Sequence, residues 1–182
     1  MTVQRSFDLS LLEALYAGRL SSGWIALIVG VSFLGSGWMM LGLVPALFVR
    51  AFRAPAAALL VMLSFLSALV AGAKEIVGRV RPCYALGWAH ALPLTLPTDC
   101  SFPSGHAAGS FAFASFVFAL HRTAGLLLVP IAGMIALSRV SLGVHYPSDV
   151  LAGAALGTAI GYGSARAFTS MRDRKGAPQF AG

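Results

Sequence analysis

Charge is what this chain has least of. Only 10% of its 182 residues are Asp, Glu, Lys or Arg, against 58% that are hydrophobic. A soluble domain of this size carries about a quarter charged residues, so the composition excludes a soluble globular protein and indicates a membrane-embedded one in a single domain. Acidic residues are scarcer still: six, against thirteen Lys and Arg. The resulting +7 charge is split among short loops and a tail. No basic face with interleaved aromatics forms, and a nucleic-acid partner is not expected. No internal repeat and no low-complexity linker appears. The first residues, Met1 to Ser22, lack a continuous apolar core and are broken by Asp8, Glu13 and Arg19, so they do not read as a cleavable signal peptide.

What is present is a series of apolar runs separated by short polar turns. Residues 8–20 read as a short amphipathic helix lying in the membrane interface, within an N-terminal segment 1–23, with Asp8 as its cap and Leu11, Leu12, Leu15 and Tyr16 on one side. The core follows over 24–170. Trp24 to Val49 reads as a first span. Arg50 and Arg53 then form a loop closed by Pro55. Ala56 to Ala73 is a second span, Ser104 to Leu120 a third, Thr123 to Ser138 a fourth and Asp149 to Phe168 a fifth. Residues 171–182 read as a flexible polar tail. The expected fold is therefore an all-α polytopic transmembrane bundle of about five spans plus the interfacial helix. Arg50, Arg53, Arg122, Arg166, Arg172, Arg174 and Lys175 fall at one set of ends, which the positive-inside rule makes cytoplasmic. Lys74, Arg79, Arg81, Ser104, His106, Arg139, His145 and Asp149 fall at the other, which would face outward from the cell membrane.

Those opposite ends carry the chemistry. Pro103-Ser104-Gly105-His106 is a turn opening a helix: Ser104 can cap, and Gly105 lets a ligand approach backbone N–H groups that attract anions. Lys74, Arg81 and Arg139 add three permanent positive charges, two of them planar guanidinium forks suited to phosphate oxygens. Of two histidines, one can attack phosphorus while the other protonates the leaving oxygen. Asp149, four residues after His145, is spaced to orient an imidazole. Two histidines and an aspartate are also possible zinc ligands, but three cations nearby oppose a divalent metal. No metal and no cofactor is expected. Other polar residues of this face read as less committed. Asp99 and His90 would be solvated in the long outer loop, and Arg79 would contact a second phosphate or sit on the loop surface. Gly153, Gly157 and Gly161 recur every fourth residue and permit close helix packing within the chain.

Three groups of residues together resemble the signature of the type 2 phosphatidic acid phosphatase superfamily, which includes the vanadium haloperoxidases. They are Lys74 with Arg81-Pro82, Pro103 to His106, and Ser138-Arg139 with His145 and Asp149. The resemblance implies an all-helical fold and metal-free phosphoester hydrolysis through a phosphohistidine. It implies His145 as nucleophile, Asp149 as its orienting partner, His106 as acid, and Lys74, Arg81, Ser104, Gly105 and Arg139 as phosphate ligands. The membrane setting points to a lipid phosphate or diphosphate: an isoprenyl diphosphate, phosphatidic acid or phosphatidylglycerophosphate. A lipid phosphotransferase or a non-catalytic lipid-phosphate binder are the alternatives. The oligomeric state is left open. The only two cysteines, Cys83 and Cys100, lie in the outer loop. If that loop faces an oxidising compartment, a disulfide between them is expected, restricting the unfolded chain by roughly 3 kcal/mol.

Overall fold

The computed structural model describes residues 7–37, 42–92 and 97–174, and among them there are helices and turns but no strand. Seven α-helices follow one another: α1 (Phe7–Leu15), α2 (Ser22–Leu34), α3 (Arg50–Val77), α4 (Pro82–Ala85), α5 (Gly105–Leu120), α6 (Arg122–Ser141) and α7 (Pro147–Arg174). The tail beyond Arg174 lies outside the described residues.

Helix ends follow local chemistry. Gly78 takes a left-handed conformation (φ 62°) and stops α3, its N–H reaching back to Lys74 O, as glycine does at many helix C-termini. Ser104 caps α5, its hydroxyl accepting from Ala107 N. Pro147 opens α7 at a position where its missing N–H costs nothing.

Helix boundaries differ from the sequence expectation in α2, α3, α6 and α7. Arg50 to Pro55 is not a loop: α3 starts at Arg50 and takes Pro55 inside it. The guanidinium of Arg53 bonds Leu47 O at 2.9 Å and ties the new first turn to the preceding one. Trp24–Val49 is not one continuous helix, because α2 stops at Gly35 and a short 3₁₀ turn occupies Pro45–Phe48. A side chain at Gly35 would meet Ile135 Cγ2, so the end of α2 is pressed against α6. Finally, α6 runs on through Arg139 to Ser141 and α7 extends past both expected ends.

Two described segments are long and apolar enough to cross a membrane alone: the run Arg50–Ala85 and the helix Arg122–Ser141. Phe7–Arg19 and Ser22–Leu34, bent by 118° against each other, make a third if they count as one. The remaining two expected spans fall short for a physical reason. Helix α5 has 16 residues, and α7 is rich in Gly, Ala and Ser. These two pack on each other along the line of Gly153, Gly157 and Gly161, where added Cβ atoms would lie 2.1–2.5 Å from the carbonyl oxygens of Ser104, Ala108 and Ala112. Small residues serve helix contact in a membrane better than they serve hydropathy.

The core has two parts. Leu59, Met62, Leu63, Leu66 and Val70 of α3 pack against Ala108, Ala112 and Phe116 of α5 and Ala165 of α7. Leu12 of α1 is fully buried in a second cluster with Ala107, Ala136, Val140, Tyr146 and Val150. The apolar side of α1 is thus taken up by the bundle itself.

Candidate functional site

Lys74, in the last turn of α3, and Arg81, just before α4, are both buried. They converge on Asp99. Lys74 Nζ lies 2.5 Å from Asp99 Oδ2 and donates to Cys100 O at 2.8 Å. Arg81 donates Nη2 to Asp99 Oδ1 at 2.7 Å and Nε to the Asp99 carbonyl at 2.8 Å. Asp99 is therefore an ion-pair partner rather than a solvated loop residue, although its side chain remains 51% exposed. Partial burial pushes its carboxyl up, but the Lys74 hydrogen bond and the Arg81 charge override this and hold it at about 2.

Cys83 and Cys100 are both free thiols, half-buried, and the expected disulfide is not formed. The two cysteines lie close to the cations. Cys100 presents its carbonyl to Lys74, and Cys83 sits in the single turn of α4 that Arg81 begins.

His145 lies in the short connection between α6 and α7, with only 2% of its side chain exposed. Arg81 Nη1 approaches His145 Nε2 at 3.1 Å. An arginine can only donate, so Nε2 is the acceptor and the neutral ring carries its proton on Nδ1. Nδ1 has no hydrogen-bond partner within range and lies 3.6 Å from Asp149 Oδ2, a few tenths of an ångström beyond a hydrogen bond. Burial pushes the His145 imidazole down to about 4, with Asp149 pulling the other way.

Asp149, with 0% exposure, is held on every side. Its Oδ2 accepts from Tyr146 N at 2.9 Å and from the Ser101 hydroxyl, and its Oδ1 from Arg79 Nη1 at 2.5 Å. The reach from the third residue of α7 back to Tyr146 N is half of a capping box. Arg79 also stacks over the Tyr146 ring at 4.0 Å and pairs with Asp8 at 2.7 Å. Asp8 in turn accepts from Ser148 N at 2.9 Å and from the Ser148 hydroxyl at 2.5 Å, a carboxylate placed at a helix N-terminus. Neither role expected of Arg79 is the observed one: it braces Asp149 from behind. Its sequence signal is its place two residues before Arg81. Alternate residues of an extended segment point the same way, and both arginines reach the α6–α7 connection. For Asp8 and Ser101 no local signal exists.

Arg139 and His106 complete the arrangement. Arg139 donates to the buried Ser32 hydroxyl of α2 at 2.6 Å, while its Nε is buried without a partner. Such an orphan donor is costly unless an anion meets it. Ser104 N bonds Asp149 O at 3.0 Å and joins the start of α5 to that of α7. Lys74, Arg81, Gly105, His106, Arg139 and His145 all line one cavity of about 720 Å³. Ser104 is buried just behind it and Asp149 behind His145. The cavity's other end is apolar, between Leu63, Leu66, Phe113 and Leu128. Among the described residues, no three His, Cys, Asp or Glu side chains gather as a metal-holding group.

Residues 55–173 match the family model of the PAP2 superfamily. The chain belongs to that superfamily and is a phosphatase homologue embedded in a membrane. It is 36% identical over 155 residues to the decaprenylphosphoryl-5-phosphoribose phosphatase of Mycobacterium tuberculosis, covering 76% of this chain and 77% of that one. Among solved structures it is similar to Aquifex aeolicus LpxE (TM-score 0.75, 26% identity, 91% of this chain and 99% of that one). It is also similar to the transmembrane PAP2-type phosphatidylglycerolphosphate phosphatase of Bacillus subtilis (TM-score 0.72, 25% identity, 90% and 85%).

Proposed function

We propose that the protein hydrolyses the phosphate or diphosphate of a membrane lipid, without a metal, through a phosphohistidine at His145. The observation that carries this reading is the cavity itself. One end gathers Lys74, Arg81, Arg139 and two histidines, and the other is an apolar slot among the helices. A water-soluble phosphoester has no use for that slot. An isoprenyl chain or an acyl chain fits its chemistry, and the similarity to a phosphatase named for a decaprenyl-linked substrate favours the isoprenyl class.

The steps balance as follows. The Nε2 lone pair of His145 forms a bond to phosphorus as the bond to the leaving oxygen breaks, and His106 supplies the proton to that oxygen. Asp149 stabilises the positive charge that builds on the His145 ring through Nδ1–H, their 3.6 Å separation tightening as charge develops. The cations stabilise the equatorial oxygens. Water then attacks phosphorus, His106 takes its proton, the N–P bond breaks and phosphate leaves. The site would face outward, because Arg50, Arg53, Arg122, Arg172 and Arg174 lie at the other helix ends.

A panel of purified lipid phosphates in detergent, incubated with EDTA and scored for released phosphate, tests the reading. Isoprenyl diphosphate or monophosphate is expected to be turned over with chelator present and inhibited by vanadate. An enzyme that dies on chelation and recovers with zinc overturns the mechanism. With attack through neutral His145, the acid-side limb of the kcat/KM profile is expected to be centred at about 4. A fall centred near 6.5 would mean that the ring ionises as a free histidine does. The slot has its own test. Gly109 lines the cavity, and a Cβ there would meet nothing within 4 Å. Gly109→Leu is expected to raise KM for long-chain lipid phosphates at least about tenfold, the worth of displacing a few buried methylenes. Hydrolysis of a short-chain ester should be unchanged.

A further inference from the structure

Lys74 and Arg81 are two of the three cations of the proposed phosphate site, and one carboxylate bridges both. Asp99 presents Oδ2 to Lys74 and Oδ1 to Arg81, the same two-oxygen contact that a phosphoryl group would make. We infer that Asp99 is an affinity-determining residue: its carboxylate competes with the lipid's phosphate group for Lys74 and Arg81, so substrate binds only by displacing it. The inference rests on the reading of this cavity as a phosphate site.

Three features support competition over permanent bracing. First, the Asp99 side chain is half exposed while its partners are buried, so it can leave toward solvent. Second, its departure does not disarm the cations. Lys74 keeps the Cys100 carbonyl, and Arg81 keeps the carbonyls of Asp99 and Val144. Rotation of one side chain therefore frees the charges and leaves both still aimed. Third, a cluster of buried cations without a counter-ion is strongly disfavoured, so the site exchanges one anion for another and does not stand open. Because the carboxyl is held at about 2, it stays ionised at every working pH, and the competition is not relieved by mild acid.

The test is oxyanion affinity in the full-length protein in detergent, read as the dissociation constants of orthovanadate and orthophosphate for the parent, Asp99→Asn and Asp99→Ala. Melting temperature serves as the check on folding. Both variants are expected to bind about fivefold tighter, the combined worth of two partly exposed ion pairs. KM for lipid phosphate should fall and product inhibition should rise. A brace gives the opposite sign: weaker oxyanion binding and a raised KM in a folded variant overturn the inference, as does unchanged affinity. Failure of both variants to fold also overturns it, because Asp99 is then structural. If the parent itself binds neither oxyanion, the phosphate site has failed, and that result is separate from any difference among the variants.

Discussion

Alanine at position 145 is expected to abolish turnover, and no labelled phosphoenzyme should form from a lipid carrying radioactive phosphate. His145 is the one nucleophilic group at the cationic end whose geometry meets both demands. Its Nε2 is an acceptor beside Arg81, and its Nδ1 faces a carboxylate that Ser101, Tyr146 N and Arg79 hold still. His106→Ala should behave differently. General acid catalysis contributes about 10²–10⁴-fold, so loss of His106 is expected to slow turnover by that amount for poor leaving groups. Esters of acidic phenols, which leave without a proton, should be largely spared. A labelled enzyme in the His145→Ala variant, or equal losses for good and poor leaving groups in His106→Ala, would reassign the two rings.

The second large effect is mechanical. At Gly157 an added Cβ would lie 2.1 Å from Ala108 O, 2.9 Å from Ala108 C and 3.0 Å from Ala108 Cα. These are backbone atoms, which no rotamer change can move aside. Gly157→Val must therefore push α7 away from α5 at a cost of about 3 kcal/mol or more. The displacement also acts on the site, because Ser104 of the α5 cap and Asp149 of α7 share a backbone hydrogen bond. Lost stability and lost activity are expected together. Gly163→Ala is the control on the same helix: nothing lies within 4 Å of its added carbon, and the change is expected to stabilise the helix by about 0.5–1 kcal/mol. Melting temperatures in detergent decide both. A Gly157→Val protein that melts like the parent would show that the two helices are free to separate.

What the sequence made legible was the gathering of polar side chains at one set of helix ends. Polar side chains are so rare here that each turn identifies itself, and counting crossings brings Lys74, Arg81, His106, Arg139 and His145 to one side. The glycine spacing in α7 likewise speaks for itself, since the repeat matches one helix face. The rest was written in contacts between distant residues. Arg139 leans on Ser32, 107 positions away, and Ser148 on Asp8, 140 away. Neither pair has any periodic trace. Asp99 misled for a related reason: a lone acid in a polar loop is usually solvated, and only the fold puts two buried cations against it. The disulfide expectation also failed: Cys83 and Cys100 share the outer loop in sequence, yet both thiols are free. Helix boundaries near Pro55 and Gly35 turned on which turns the neighbours press together.

The contact between Asp8 and Ser148 also orders events in time. A chain leaving the ribosome presents Asp8 a full 140 residues before Ser148. Until then Arg79 has one of its two carboxylates and Asp149 does not yet exist. Helices α2 to α6 can enter the bilayer and pair while the loop between Asp8 and Ser148 is still open, and closing so long a loop is an entropic cost met late. The polar half of the α1 contact therefore forms only after α7 has begun, although Leu12 can already meet Ala136 and Val140 of α6. The protein gains its full brace behind Asp149 only when segments 140 residues apart meet, and a nascent chain presents Lys74 and Arg81 before it possesses the histidine–aspartate pair.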